Sequence, residues 1–265
     1  MAGDISPIVL PNRQTLGNMR ARGTLFDFLN WHSPQTFRHE DHFLGDIAIA
    51  TREPGYTTAS NGTSSAVPVL TAAGAGGTVE FVTGTDDNGY SALYTGSANW
   101  TADNNPRMCA IFKSSAITGV KIEIGFTDAT GDAGAINALD TPTATADDCV
   151  CAIFDTDATE DNWQFAGARA TTAWSIATVD QAPVADTYQL ITVALDRINL
   201  GTDNVMARMF IGNKCVATKT LDAIANTTAL FPYVFYQCRA GSASRTGTLD
   251  YFAAWGDCKI GGMSV

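Results

Sequence analysis

Val120-Lys-Ile-Glu-Ile-Gly-Phe-Thr-Asp128 decides the fold. Val120, Ile122, Ile124 and Phe126 fall on one side of an extended chain; Lys121, Glu123 and Thr127 fall on the other. Strict alternation of this kind predicts a β-strand with one dry face and one wet face. Similar runs recur at 78–83, 90–94, 107–112, 149–154, 163–168, 174–179, 189–196, 204–211 with 214–221, 233–238 and 248–255. Gly, Asn, Asp and Thr separate them, so the chain reads as an all-β, two-sheet antiparallel sandwich. Gly212-Asn213 between two runs is the signature of a tight hairpin turn. Residues 57–65 and 129–147 read as loops and 72–77 as a glycine-rich connector. A weak helical turn is expected at 221–229.

The 265 residues and 45% hydrophobic content suit one large all-β domain with its own core. The net charge of −11 argues against nucleic acid as a partner. No long apolar run suggests a membrane span, and the polar start carries no secretory signal. Synthesis in a cytosol follows, with the six cysteines as reduced thiols. None of their spacings makes a zinc knuckle.

Two segments are expected: an N-terminal arm over 1–42 and a sandwich domain over 43–265. The arm holds all three histidines and the arginines Arg13, Arg20, Arg22 and Arg38. Thr24-Leu-Phe-Asp-Phe-Leu-Asn-Trp31 is its sticky part. Leu25, Phe26, Phe28, Leu29 and Trp31 cannot bury themselves, so they pack on the sandwich or on a partner. With Arg13, Arg20 and Arg22 facing an acidic sandwich, they form the expected assembly interface.

The pieces Gly125-Phe-Thr-Asp128, Phe154-Asp-Thr-Asp157 with Asn162-Trp-Gln164, and Leu249-Asp-Tyr-Phe-Ala-Ala-Trp-Gly256 resemble the concanavalin A-like (laminin G-like) jelly-roll sandwich. The likeness spans roughly residues 43 to 260 and is nearest to sandwich proteins encoded among tailed-bacteriophage structural genes. It implies a jelly-roll topology and a virion protein, most simply a capsid decoration or cement protein that is not an enzyme. Its partners would be the major capsid protein or other virion subunits. Such proteins commonly form homo-oligomers, often trimers. Assembly would take place in the host cytoplasm.

A receptor- or glycan-binding module of a tail fibre is the alternative. Its sugar contacts would be Trp100, Trp163 and Asn162, aromatics set among amides and acids, although core plugs also fit these tryptophans. A polysaccharide-cleaving enzyme is a weaker alternative. Some enzymes of the resembled fold carry three acids on one strand face. Here Glu123 stands on that face, but Gly125 occupies the place of the second acid and Asp128 has the wrong parity. No cofactor is implied except Ca²⁺, for which Asp155, Asp157 and Asp161 supply hard oxygens within one turn. His39-Glu-Asp-His42 matches no strong metal motif and reads as a solvated segment.

Overall fold

The computed structural model describes residues 36–44, 49–52, 55–71, 77–129, 134–177, 181–198, 204–241 and 243–257. Their strands are β1 (Thr36–Asp41), β2 (Tyr56–Asn61), β3 (Ala66–Thr71), β4 (Thr78–Val82), β5 (Tyr90–Thr95), β6 (Arg107–Ser114), β7 (Val120–Thr127), β8 (Ile136–Ala138) and β9 (Thr143–Ala144). After them come β10 (Cys149–Asp155), β11 (Gln164–Arg169), β12 (Thr172–Ala177), β13 (Gln189–Arg197), β14 (Val205–Ile211), β15 (Lys214–Lys219), β16 (Phe231–Cys238) and β17 (Thr246–Asp257). Two 3-10 turns, Ile49–Thr51 and Ala102–Asn104, are the helical elements among the described residues.

The strands build an eight-stranded sheet in the order β15-β14-β13-β6-β17-β4-β3, with β1 also on β17, and a seven-stranded sheet in the order β12-β11-β10-β7-β16-β5-β2. All pairings are antiparallel. The core lies between the sheets. Ile122, Ile124 and Phe126 of β7, with Val150 and Phe154 of β10, meet Phe81, Phe112, Val193 and Phe252 from the other sheet. Inner-face alternation along each strand is what places them there.

The expected strands are present, each within about two residues of its expected ends. The hairpin at Gly212 joins β14 to β15, with a positive φ of 58° at the glycine. Residues 221–229 form turns and no helix. Three parts differ from the sequence expectation. Residues 56–61 are strand β2 and not loop. Strand β1 lies inside the segment read as an arm, yet it pairs along its whole length with β17, from Thr36 opposite Asp257 to Asp41 opposite Phe252. The third difference is the face of β7 expected to be wet. Lys121, Glu123 and Thr127 are fully buried. The described part of 129–147, with the small hairpin β8–β9, lies over that face. Ala135, Ile136, Leu139 and Ala146 pack there against Cys149, Cys151, Ile153, Tyr233 and Phe235.

Candidate functional site

The closed face is built around a charge pair. Lys121 and Glu123, two apart on β7, point the same way, and the lysine Nζ lies 2.7 Å from Glu123 Oε1. Glu123 also accepts from Ala135 N at 2.8 Å, Ile136 N at 3.2 Å and the Tyr233 hydroxyl at 2.7 Å. Lys121 Nζ donates to the Ile136 carbonyl and sits 5.6 Å from the Phe235 ring centre. Lys121 Nζ, the two backbone amides and the Tyr233 hydroxyl all donate to the carboxylate, so it is an anchor for the covering segment and is placed to hold that segment down. General-acid work would require a proton on it and a second carboxyl about 5–5.5 Å away. Gly125 is the next residue on that face. A Cβ there would lie 2.1 Å from the Val150 carbonyl oxygen, which leaves no room for an acid. Burial pushes the Cys149 and Cys151 thiols and the Tyr233 phenol well up, with the Glu123 charge adding to the effect. Such thiols stay protonated and are poor nucleophiles.

The other sites expected from sequence are distributed differently. Asp155 is buried and gripped by Arg239, at 3.0 Å from Nε and 2.6 Å from Nη2, and Asp157 lies 3.6 Å from the same guanidinium. Asp161 is exposed. Among the described residues no group of three acidic, histidine or cysteine side chains could hold a metal ion. Arg239, placed against both Asp155 and Asp157, is the cation that organises this turn. Trp163 is 2% exposed, packs on Phe154 and donates its Nε1 to Gln189 Oε1 at 2.9 Å. It is a core plug, and Asn162 beside it is half-buried. Neither forms an open sugar platform. The expected interface residues Leu25, Phe26, Phe28, Leu29, Trp31, Arg13, Arg20 and Arg22 lie outside the described residues.

Trp100 is also mostly buried, but it borders an open pocket of about 230 Å³ at one end of the sandwich. Arg38 and His39 of β1 form one wall; Thr95 of β5 and the segment through Ser97 and Asn99 form the other. Gly55 and Gly96 line it without side chains. His39 and Thr95 reach it from opposite sheets. His39 stacks edge-on against Phe252 and Tyr56, and its Nε2 is 2.7 Å from the Tyr56 hydroxyl. That hydroxyl also donates to Asp41 Oδ2 at 3.4 Å, and Asp41 is ion-paired with Arg52 at 2.9 Å. With the phenol proton on Asp41, His39 Nε2–H donates to the phenol oxygen and Nδ1 is left as a bare acceptor. From the sequence, His39 is expected in a solvated segment. Its burial follows from the pairing of β1 with β17, which no local pattern in the sequence announces.

Burial holds the His39 pKa below the usual 6.5, against the upward pull of Asp41. Between the lowered value and 6.5 the unfolded chain binds a proton that the folded chain refuses, so this term of stability is full above pH 6.5 and declines as the pH falls below it. Thermal unfolding from neutral to mildly acidic pH should show that decline. His39→Asn, which removes the titration, should flatten it. An unchanged slope in the variant would assign the decline to other groups.

No protein-family model and no curated protein sequence matches this chain. Solved structures do match it. LamA from Z. galactanivorans, solved with laminaritriose and laminaritetraose, is 7% identical, with 84% of this chain and 99% of that chain covered at a TM-score of 0.52. The fold is that of the concanavalin A-like jelly rolls. A protein of unknown function, SO2946 from Shewanella oneidensis MR-1, is 13% identical over 88% of this chain and 91% of that one, with a TM-score of 0.51. The carbohydrate recognition domain of Emp46p, in a metal-free form, is 9% identical over 83% and 96%, with a TM-score of 0.50. At such identities the likeness is one of fold, and fold alone does not carry function.

Proposed function

We propose that this chain is a structural subunit of a bacteriophage particle, a capsid decoration or cement protein that docks through residues 1–31 and carries out no chemistry. The closed outer face of the seven-stranded sheet is the observation that carries the proposal. The one acid placed for glycoside hydrolysis, Glu123, is committed to Lys121, Tyr233 and two backbone amides beneath the covering segment. A sandwich so filled serves as a rigid body.

The sequence resemblance to phage structural proteins and the arginine-bearing, apolar composition before residue 32 support the docking half of the proposal. β1 supports its mechanics. Six register pairs tie this strand to β17, so load on the preceding residues passes directly into the longest strand of the eight-stranded sheet. Stabilisation of a shell would come from interface area buried by many copies, with the major capsid protein and neighbouring copies as partners. The protein would reside in the virion.

Quantitative mass spectrometry of purified particles tests this. A copy number comparable to that of the major capsid protein is expected. Deleting residues 1–31 should leave the β-sheet circular dichroism intact and abolish co-sedimentation with particles. Absence from particles, or full occupancy by the truncated chain, would overturn the proposal. A few copies per particle would move the protein to the tail or its fibres.

A further inference from the structure

We infer that the outer face of the eight-stranded sheet is the docking surface for residues 24–31 of the same chain, seated across β13, β6 and β17. The inference does not depend on the assembly role, and it leaves residues 1–23, with Arg13, Arg20 and Arg22, for contact with a partner. It starts from a contrast between the two outer faces. Cys109, Leu190, Tyr251, Ala253 and Trp255 alternate along their strands with side chains of the core, so they point away from it. A sheet face turned to water is ordinarily polar. This one is a hydrophobic cluster in which Ala253 is 0%, Cys109 7% and Trp255 8% exposed. On the outer face of the seven-stranded sheet similar burial has a visible cause, since Ala135, Ile136, Leu139 and Ala146 of the covering segment join that cluster. Among the described residues, no apolar side chain from outside β6, β13 and β17 joins Cys109, Ala253 and Trp255. An outward tryptophan buried to this extent needs a cover, and the cover belongs to this chain, because the burial is present in a single copy.

Composition and reach select the segment. Outside the described residues, every Phe, Tyr and Trp of the chain falls within Leu25-Phe-Asp-Phe-Leu-Asn-Trp31. β1 starts at Thr36 opposite Asp257, and Arg38 stands opposite Trp255, so the chain before β1 leaves from the edge of this face. The five residues from Trp31 to Thr36 span at most roughly 16–18 Å. From β1 across β17 and β6 to β13 is three strand spacings, about 14 Å. Ser33-Pro34 lies between and favours a turn, as a segment that doubles back over the sheet requires. The surface also suits large side chains. Thr192, Cys109 and Ala253 stand side by side on neighbouring strands as a row of small groups. Arg107 and Trp255 bound the row on one side, and Leu190, Ile111 and Tyr251 bound it on the other. The rim is polar and paired within itself: Arg38 lies 2.6 Å from Glu40, and Arg107 and Arg208 lie 2.8 Å and 2.5 Å from Asp196. An apolar centre within a polar rim is the anatomy of a contact surface.

Thiol reactivity of the full chain, read by peptide mass spectrometry, tests the inference. Cys109 of the parent should react slowly with a maleimide. Phe26→Ser, Phe28→Ser and Trp31→Ser together should speed that reaction roughly tenfold or more, because a buried thiol is inert and an uncovered one is not. Cys149 and Cys151, buried beneath the other cover, should stay protected and show that the variant is folded. Cys109 as slow as in the parent, with Cys149 and Cys151 also protected, would overturn the inference. A second variant leaves the sheet face untouched: p-benzoylphenylalanine replaces Phe28, and an equal mixture of isotope-labelled and unlabelled chains is irradiated. Cross-links to peptides of β6, β13 or β17 within one molecule are expected. Absence of such cross-links, or cross-links only to other parts of the chain, would overturn the inference. Cross-links between labelled and unlabelled chains would overturn it in favour of exchange between copies. Where the serine variant unfolds and exposes all three thiols, the cross-link decides alone.

Discussion

Lys121→Met should cost about 3–5 kcal/mol of folding stability, because it leaves the Glu123 carboxylate buried without its counter-ion. Both side chains are fully buried, so water cannot take over from the lysine. The three remaining donors, Ala135 N, Ile136 N and the Tyr233 hydroxyl, are neutral and cannot balance a full charge. The variant then has two outlets: Glu123 takes up a proton, or the covering segment lifts to admit water. Either is costly, and the second should appear as faster hydrogen exchange at Ala135 and Ile136. Replacing both partners by apolar groups is often harmless for buried ion pairs, but here it would orphan those three donors. Lys121→Met with Glu123→Gln is the informative double variant. The glutamine carbonyl oxygen still accepts hydrogen bonds and no charge is left behind, so the pair should show a coupling of about 0.5–3 kcal/mol. Denaturant unfolding of the single and double variants measures both quantities. A loss below about 1 kcal/mol for Lys121→Met would mean that water already reaches Glu123, and the closed-face argument against catalysis would fail.

The same residues show where the sequence is legible. The alternation along β7 correctly predicts which side chains meet the opposite sheet, since the inner face depends only on strand parity. It misassigns the outer face to solvent, because parity says nothing about a segment that crosses over from elsewhere in the chain. A neighbouring strand holds the missing clue. Cys149-Val-Cys-Ala-Ile-Phe154 is apolar at both parities, which is the pattern of a strand covered on both sides. Trp163 and Trp100 carry the opposite lesson. An aromatic beside Asn and Asp fits an exposed platform and a core plug equally, and only the burial of both rings in the core cluster separates the two. His39 was illegible for a topological reason. Its environment is made by Tyr56 and Phe252, and the second of these lies more than 200 positions away in a strand that β1 reaches only once the sheet has closed. The Asp155–Arg239 pair is equally non-local, so an Asp-rich turn resembled a cation loop until its arginine was placed.

Gly125→Ala should destabilise the protein by about 3 kcal/mol or more, at or beyond the upper end for overpacking of a well-filled core. The added Cβ would lie 2.1 Å from the Val150 carbonyl oxygen, 2.6 Å from Cys151 Cα and 2.8 Å from Cys151 Cβ. Backbone atoms of a paired strand cannot swing aside as a side-chain tip can. Relief requires β7 and β10 to separate at the point where Gly125 stands opposite Cys151, and β16 is pinned to the other edge of the same residue through Tyr233. Gly212→Ala separates this steric cost from a conformational one. Gly212 has open space around its Cβ position and a φ of 58°, so alanine there costs only the left-handed backbone penalty of roughly 1–2 kcal/mol. Thermal unfolding should place Gly125→Ala roughly 6–12 °C below the parent, and clearly below Gly212→Ala, given about 2–4 °C per kcal/mol for a chain of this size. Equal shifts for the two variants would mean that β7 and β10 have slack at Gly125. Packing would then not be the reason that this position beside Glu123 carries no side chain. A large shift confined to Gly125→Ala ties the absence of a side chain at this position to the packing itself: β7 and β10 approach too closely here for even a Cβ.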